Sequence, residues 1–192
     1  MLRRILLGLV VFGLAVYLFN AGWRVAPPAG ELGLIAHRGV HQTFDNAGLG
    51  NDGCSASGID PPSHDLLENT LASMQAAFDA GADIVEFDVH PTTDGQFAVF
   101  HDWNIDCRTK GTGETRSQDM AYLRSLDIGY GYTADGGASF PFRGKGVGLM
   151  PELGEVLAAF PGQKFLINFK SNEAREADML AARLAAEPAW RQ

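Results

Sequence analysis

The sequence predicts an α/β protein built on a parallel sheet. Two observations lead there. Four short apolar runs, LGLIAH, IVEFDVH, QFAVFHD and KFLINFK, are of strand length and end in polar residues. Between most of them lie segments with apolar residues at helical spacing, set off by Gly, Pro, Asn and Asp clusters. Strands that alternate with helices and have apolar interiors are the mark of a parallel sheet covered by helices.

The bulk numbers place the chain before any motif does. It has 192 residues, 46% of them hydrophobic, and a net charge of −8. That balance argues against nucleic acid as a partner, because phosphate backbones want clustered Lys and Arg. Residues 5–23 carry no charge and follow Arg3 and Arg4. Nineteen helical residues span roughly 28 Å, close to a hydrocarbon core. Residues 1–27 are therefore expected to be an N-terminal transmembrane anchor and linker, with a cleaved signal sequence as the alternative. The positive-inside rule puts residues 28–192 on the extracytoplasmic side of the cytoplasmic membrane, or in the secreted fraction after cleavage. Export permits one disulfide between the two cysteines, Cys54 and Cys107, as a structural staple; two free thiols are the alternative.

In chain order, LGLIAHRG reads as a strand running into a loop, and residues 41–67 as a long surface loop. Asn69 or Thr70 opens a helix in which Leu71, Met74, Ala77 and Phe78 recur at helical spacing, and Gly81 stops it. Residues 84–101 read as strand, turn and strand. A short helix is expected near 117–126, a longer one over PELGEVLAAF, a fourth strand over KFLINFK, and a last amphipathic helix over NEAREADMLAARLAAE.

Polar residues gather where these strands end: His37 and Arg38, Glu86 and Asp88, His101, Asn168 and Lys170. Active sites of parallel α/β sheets and barrels are built at that rim. Glu86 and Asp88 share one strand face, and two such oxygen ligands suit a hard cation, Ca²⁺ or Mg²⁺. Arg and Lys beside a cation suit a phosphate, and two histidines suit general acid and general base. Together these parts fit metal-assisted phosphodiester cleavage. His90 lies past the strand and is expected in an exposed loop.

His37-Arg38-Gly39, Glu68-Asn69-Thr70, Gly81-Ala82-Asp83 leading to Glu86-x-Asp88, Thr93-Asp94-Gly95, His101-Asp102, Arg108-Thr109 and Gly111-Thr112-Gly113 occur in that order. The series resembles the glycerophosphodiester phosphodiesterase family. The resemblance implies a TIM (β/α)8-type barrel that hydrolyses small glycerophosphodiesters to sn-glycerol 3-phosphate and an alcohol. It implies that His37 and His101 are the acid/base pair. Arg38, Glu68 and Lys170 would bind substrate, and Glu86 and Asp88 would hold the divalent cation, with Asn168 in the place of a third ligand.

Three features depart from the family pattern. Asn168 stands where a third carboxylate is usual, which lowers the charge offered to a metal. Residues 38–67 form an unusually long connection. A full barrel takes about 250 residues, so the N-terminal half to two-thirds of one is expected here. A truncated barrel that binds phosphodiesters or a partner without turnover is the alternative function.

Overall fold

The computed structural model describes residues 2–20, 33–47, 49–50 and 53–191. The chain separates into two units, Met1–Leu32 and Gly33–Gln192. The first contains helix α1, Leu2–Phe19, whose large apolar side chains from Ile5 onward are exposed. The expected transmembrane anchor over 5–23 finds no support here. The helix ends at Phe19, residues 21–23 lie outside the described residues, and among the described residues no helix is long and apolar enough to cross a membrane.

The second unit is a four-stranded sheet with helices. Its strands are β1 (Ile35–His37), β2 (Ile84–Pro91), β3 (Phe97–Val99) and β4 (Lys164–Phe169). Its helices are α2 (Leu71–Asp79), α3 (Met120–Ser125), α4 (Leu153–Ala159) and α5 (Ala174–Ala186). Strand β2 is central. It pairs in parallel with β4 along residues 84–89 and with β1 along residues 84–86, and antiparallel with β3 along residues 89–91. Because β4 takes one edge of β2 throughout, β1 and β3 must share the other edge, one after the other.

Two expectations are corrected by this topology. The sheet is not wholly parallel, because β3 folds back on β2 through the turn at Thr92–Gln96. His90 is not in an exposed loop. The hairpin extends β2 to Pro91, which puts His90 inside the strand at 1% exposure.

Strand alternation sorts β2 into two faces. Val85, Phe87 and Val89 form the core face and pack on Met74 and Ala77 of α2, on Leu153 and Val156 of α4, and on Phe160 just past its end. Phe165 meets Phe87, Phe78 and Phe160 with ring centroids 5.3–6.0 Å apart in edge-on geometry. Glu86, Asp88 and His90 face the other way. A second core lies under residues 104–150, built from Ile105, Leu123, Ile128, Tyr132, Phe142 and Met150. The Cys54–Cys107 disulfide, Cα atoms 5.6 Å apart, fastens the 41–67 loop to this region.

Helix α2 starts where its sequence says it should. The Thr70 Oγ1 accepts from the Ser73 N–H and the Ser73 Oγ accepts from the Thr70 N–H, a reciprocal capping box. Gly39 sits against this first turn with φ +72, and a Cβ there would lie 2.7 Å from the Ser73 carbonyl carbon. Positive φ and close backbone approach both demand glycine. Gly39→Ala is expected to cost at least about 2 kcal/mol, read as a lower urea midpoint. An unchanged midpoint would show that β1 and α2 are free to move apart.

Candidate active site

The site begins with a strained turn. Arg38 and Asn69 both have positive φ, 59° and 58°, which non-glycine residues rarely adopt. Neighbouring groups hold them there. The Arg38 N–H reaches both the Glu86 carbonyl (2.9 Å) and Glu86 Oε2 (3.1 Å), and the Asn69 N–H donates to the Arg38 carbonyl (3.0 Å). This turn aims the Arg38 side chain inward, between two buried carboxylates. Its Nη1 donates to Glu68 Oε1 at 3.0 Å. Its Nε lies 3.2 Å from Asp88 Oδ2 but makes no hydrogen bond, so that contact is a pure ion pair.

Asp88 is fully buried, and four donors surround it. Asn69 Nδ2 donates to Oδ2 (3.1 Å) and Asn168 Nδ2 to Oδ1 (2.9 Å), while Lys170 Nζ stands 3.5 Å from Oδ1. Arg38 is the fourth. The β2–β4 register, Asp88 opposite Asn168, makes this meeting possible. Lys170 lies one residue beyond β4, where Ser171 Oγ anchors the chain by donating to the buried Glu176 (2.7 Å).

Glu86 is less well compensated. Burial first, and then the Asp88 charge, push its carboxyl up to about 7. His37 ends β1 opposite Glu86, with Nε2 3.9 Å from Glu86 Oε2 and 57% of the side chain exposed. Burial of the rest of the ring, helped by Arg38, lowers its pKa, so the ring is neutral near pH 7.

His101 arrives by a different route from the expected one. It does not end a parallel strand. It follows the antiparallel β3, and Phe100 hydrogen-bonds back to the Asp88 carbonyl (3.1 Å). The return stroke of the hairpin thus carries His101 to the level of Asp88. Nor do Glu86 and Asp88 end their strand, because β2 continues to Pro91. Beneath them His90, pushed down to about 4 by burial, is neutral and points Nε2 at the His101 carbonyl.

The remaining structure of the site was not assigned from sequence. Asp102 Oδ1 holds His101 Nδ1 at 2.8 Å. Arg108 Nε donates to Asp102 Oδ2 (2.8 Å), its Nη2 to Ser55 Oγ (2.8 Å), and its Nη1 to the Tyr132 hydroxyl. Arg108 Nη2 also lies 3.2 Å from Glu68 Oε1. Burial would raise the Asp102 carboxyl, but Arg108 and His101 outweigh it and hold it at about 2. Asp102, Asn69 and Arg108 stand in the ordered motifs His101-Asp102, Glu68-Asn69-Thr70 and Arg108-Thr109, without a role attached to them there. Nothing in the sequence pointed to Ser55 or Tyr132.

The structure therefore brings His37, Arg38, Glu68, Glu86, Asp88, His101, Asn168 and Lys170 into one connected cluster. Arg38 and His101 also line a cleft of about 280 Å³ whose other wall includes Phe44, Asn46, Leu49 and Ser55. Among the described residues, no group of three or more His, Cys, Asp and Glu is arranged to hold a metal ion. The oxygen ligands on offer are the Glu86 and Asp88 carboxylates, while Asn168 turns its Nδ2 toward Asp88. Two carboxylates suit a hard cation, and the raised Glu86 carboxyl reflects burial beside the Asp88 charge.

Fold and site together define a TIM-barrel-like α/β domain with a charged cluster on its inner sheet face. The sequence profile described as "Glycerophosphoryl diester phosphodiesterase family" matches residues 37–186, and the chain belongs to that family. A glycerophosphodiester phosphodiesterase of Caldanaerobacter subterraneus is 32% identical over 108 residues, which are 56% of this chain and 41% of that protein. A phosphodiesterase of Oleispira antarctica, solved in complex with the product sn-glycerol-3-phosphate, is 26% identical with a TM-score of 0.53. That match covers 84% of this chain and 52% of the other. The glycerophosphodiester phosphodiesterase of Agrobacterium tumefaciens shares the fold, with a TM-score of 0.52 at 24% identity over 81% of this chain and 54% of the other. The chain thus spans about half the length of the relatives it matches.

Two outcomes test this electrostatic picture. Glu68→Gln leaves two buried guanidinium groups without their shared carboxylate and is expected to cost about 3–5 kcal/mol, measured by urea unfolding. Asp102 stays ionised in the folded protein down to about pH 2, against an ordinary 3.8. Its contribution, about 2 kcal/mol, is present above pH 3.8 and lost as pH falls toward 2. A urea series from pH 5 to 2 is expected to show that loss in the wild type and not in Asp102→Asn.

Proposed function

We propose that the chain carries the acid/base and phosphate-binding groups of a metal-dependent hydrolase that splits glycerophosphodiesters into sn-glycerol 3-phosphate and an alcohol. One observation carries the reading. Seven polar residues of the family pattern together with Asn168, from three parallel strands, a hairpin return and one loop, meet in a single connected cluster. The product bound to the Oleispira antarctica relative supports the choice of product.

In this mechanism Arg38 and Lys170 bind the phosphate oxygens. His37, neutral near pH 7, accepts the proton of the glycerol 2-hydroxyl as that oxygen attacks phosphorus. His101, held through Nδ1 by Asp102, gives the proton on its Nε2 to the departing alcohol oxygen as the P–O bond breaks. Water then opens the cyclic phosphate, with the two histidines exchanging roles. Ca²⁺ or Mg²⁺, held by Glu86 and Asp88 and by the Asn168 amide oxygen once that amide had turned its Nδ2 away from Asp88, would supply Lewis-acid neutralisation of phosphate charge. Lys170, the loosest of the Asp88 partners at 3.5 Å, is the cationic group of this set most able to turn toward a phosphate oxygen.

The domain is placed outside the cytoplasm, at the cytoplasmic membrane or secreted. The Cys54–Cys107 bridge supports that assignment, since such bonds persist in oxidising compartments.

Purified protein incubated with glycerophosphocholine and Ca²⁺ or Mg²⁺ is expected to release glycerol 3-phosphate. A chelator should stop the reaction, and His37→Ala and His101→Ala should each slow it by about 100-fold or more. Turnover that ignores both substitutions would refute the assignment. Calorimetric binding of the diester with no product would instead mark a domain that binds without turnover, a reading motivated by Asn168.

A further inference from the structure

Arg108 is a charged side chain that no step above uses, and it is 2% exposed. A buried guanidinium is tolerated only when its donors and charge are matched. Here the matching comes from four places in the chain: Ser55, Glu68, Asp102 and Tyr132. Arg108 does not line the cleft formed by Arg38, Phe44 and His101. Its influence is indirect and runs in two directions. Through Asp102, whose second oxygen holds His101 Nδ1, it sets the ring of one histidine. Through Glu68, whose Oε1 also takes Arg38 Nη1, it sets the phosphate-binding guanidinium.

The disulfide sits one residue from each end of one of these contacts. Cys54 precedes Ser55, Cys107 precedes Arg108, and Ser55 Oγ accepts from Arg108 Nη2 at 2.8 Å. The bridge closes a sequence separation of 53 residues, so it joins the entrance loop to the segment that carries Arg108.

We propose that Arg108 is a positioning residue for both His101 and Arg38, and that the Cys54–Cys107 bridge is the clamp that keeps it in register through Ser55. The proposal rests on the phosphodiesterase reading for its kinetic arm, and on geometry alone for its spectroscopic arm. It identifies the long 38–67 connection as part of the active-site scaffold as well as an entrance wall.

Three variants test it: Arg108→Lys, Ser55→Ala, and the pair Cys54→Ser with Cys107→Ser. Kinetics on glycerophosphocholine, thermal unfolding, and the nuclear magnetic resonance signal of the His101 Nδ1 proton are recorded for each. That signal is assigned by its loss in His101→Gln. Each variant is expected to lower kcat by about 10- to 100-fold well below its unfolding temperature and to shift or broaden the His101 proton. Combining Ser55→Ala with the cysteine pair should cost no more than the worse of the two, because both act through Arg108. Should Arg108→Lys fail to fold, Ser55→Ala carries the test, since it removes only one hydroxyl. Folded variants whose kcat and His101 signal stay within about twofold of the wild type would overturn the proposal. If the wild type turns nothing over, the hydrolase reading fails separately. The His101 proton in Ser55→Ala then decides positioning alone: a shift supports it and an unchanged signal rejects it.

Discussion

The second unit depends on a line of buried charges that alternate in sign. Lys170, Asp88, Arg38, Glu68, Arg108 and Asp102 follow one another, each within 3.5 Å of the next, and Asp102 in turn holds the His101 ring. No single pair in this line would offset the cost of taking two ions out of water. The line does so because each interior member has a partner on both sides, and neutral donors such as Asn69, Asn168 and Ser55 fill the remaining sites. The ion line also joins the β1 turn, the start of α2, the end of β4, the hairpin and the 104–149 region.

That constraint explains two features that look unfavourable alone. Arg38 and Asn69 occupy a left-handed backbone conformation, which is a cost for residues with a Cβ. Only this conformation lets the Arg38 N–H reach Glu86 while its side chain turns toward Glu68 and Asp88. Glu86 lies beside the line without being one of its links, and its carboxyl is correspondingly raised. Asp88 and Asp102 are links of the line, whereas Glu86 lies beside it and the His37 side chain is 57% exposed.

Much of the site was legible because chemistry and pattern coincided. The period-two alternation of Glu86, Asp88 and His90 against Val85, Phe87 and Val89 assigned the faces of β2 correctly. The ordered motifs at His37, Glu68 and His101 pointed to residues that the structure brings into one cluster. Two kinds of information were out of reach. Strand direction was one: β3 is too short for periodicity to tell a return stroke from a parallel strand, and His90 was misplaced for the same reason. The other was long-range polar matching, since Arg108 finds Ser55 53 residues earlier and Tyr132 24 residues later.

By itself the sequence determined the element types, the faces of the central strand, and the kinds of groups that would share one site. These follow from local rules of alternation, capping and turn chemistry, which act over a few residues. Tertiary structure alone decided which carboxylate each guanidinium takes, that His101 is reached by an antiparallel return, and that the entrance loop supports the site through Ser55. The reason is physical: a buried charge selects its partners by distance and desolvation in three dimensions, and neither quantity is written in sequence spacing.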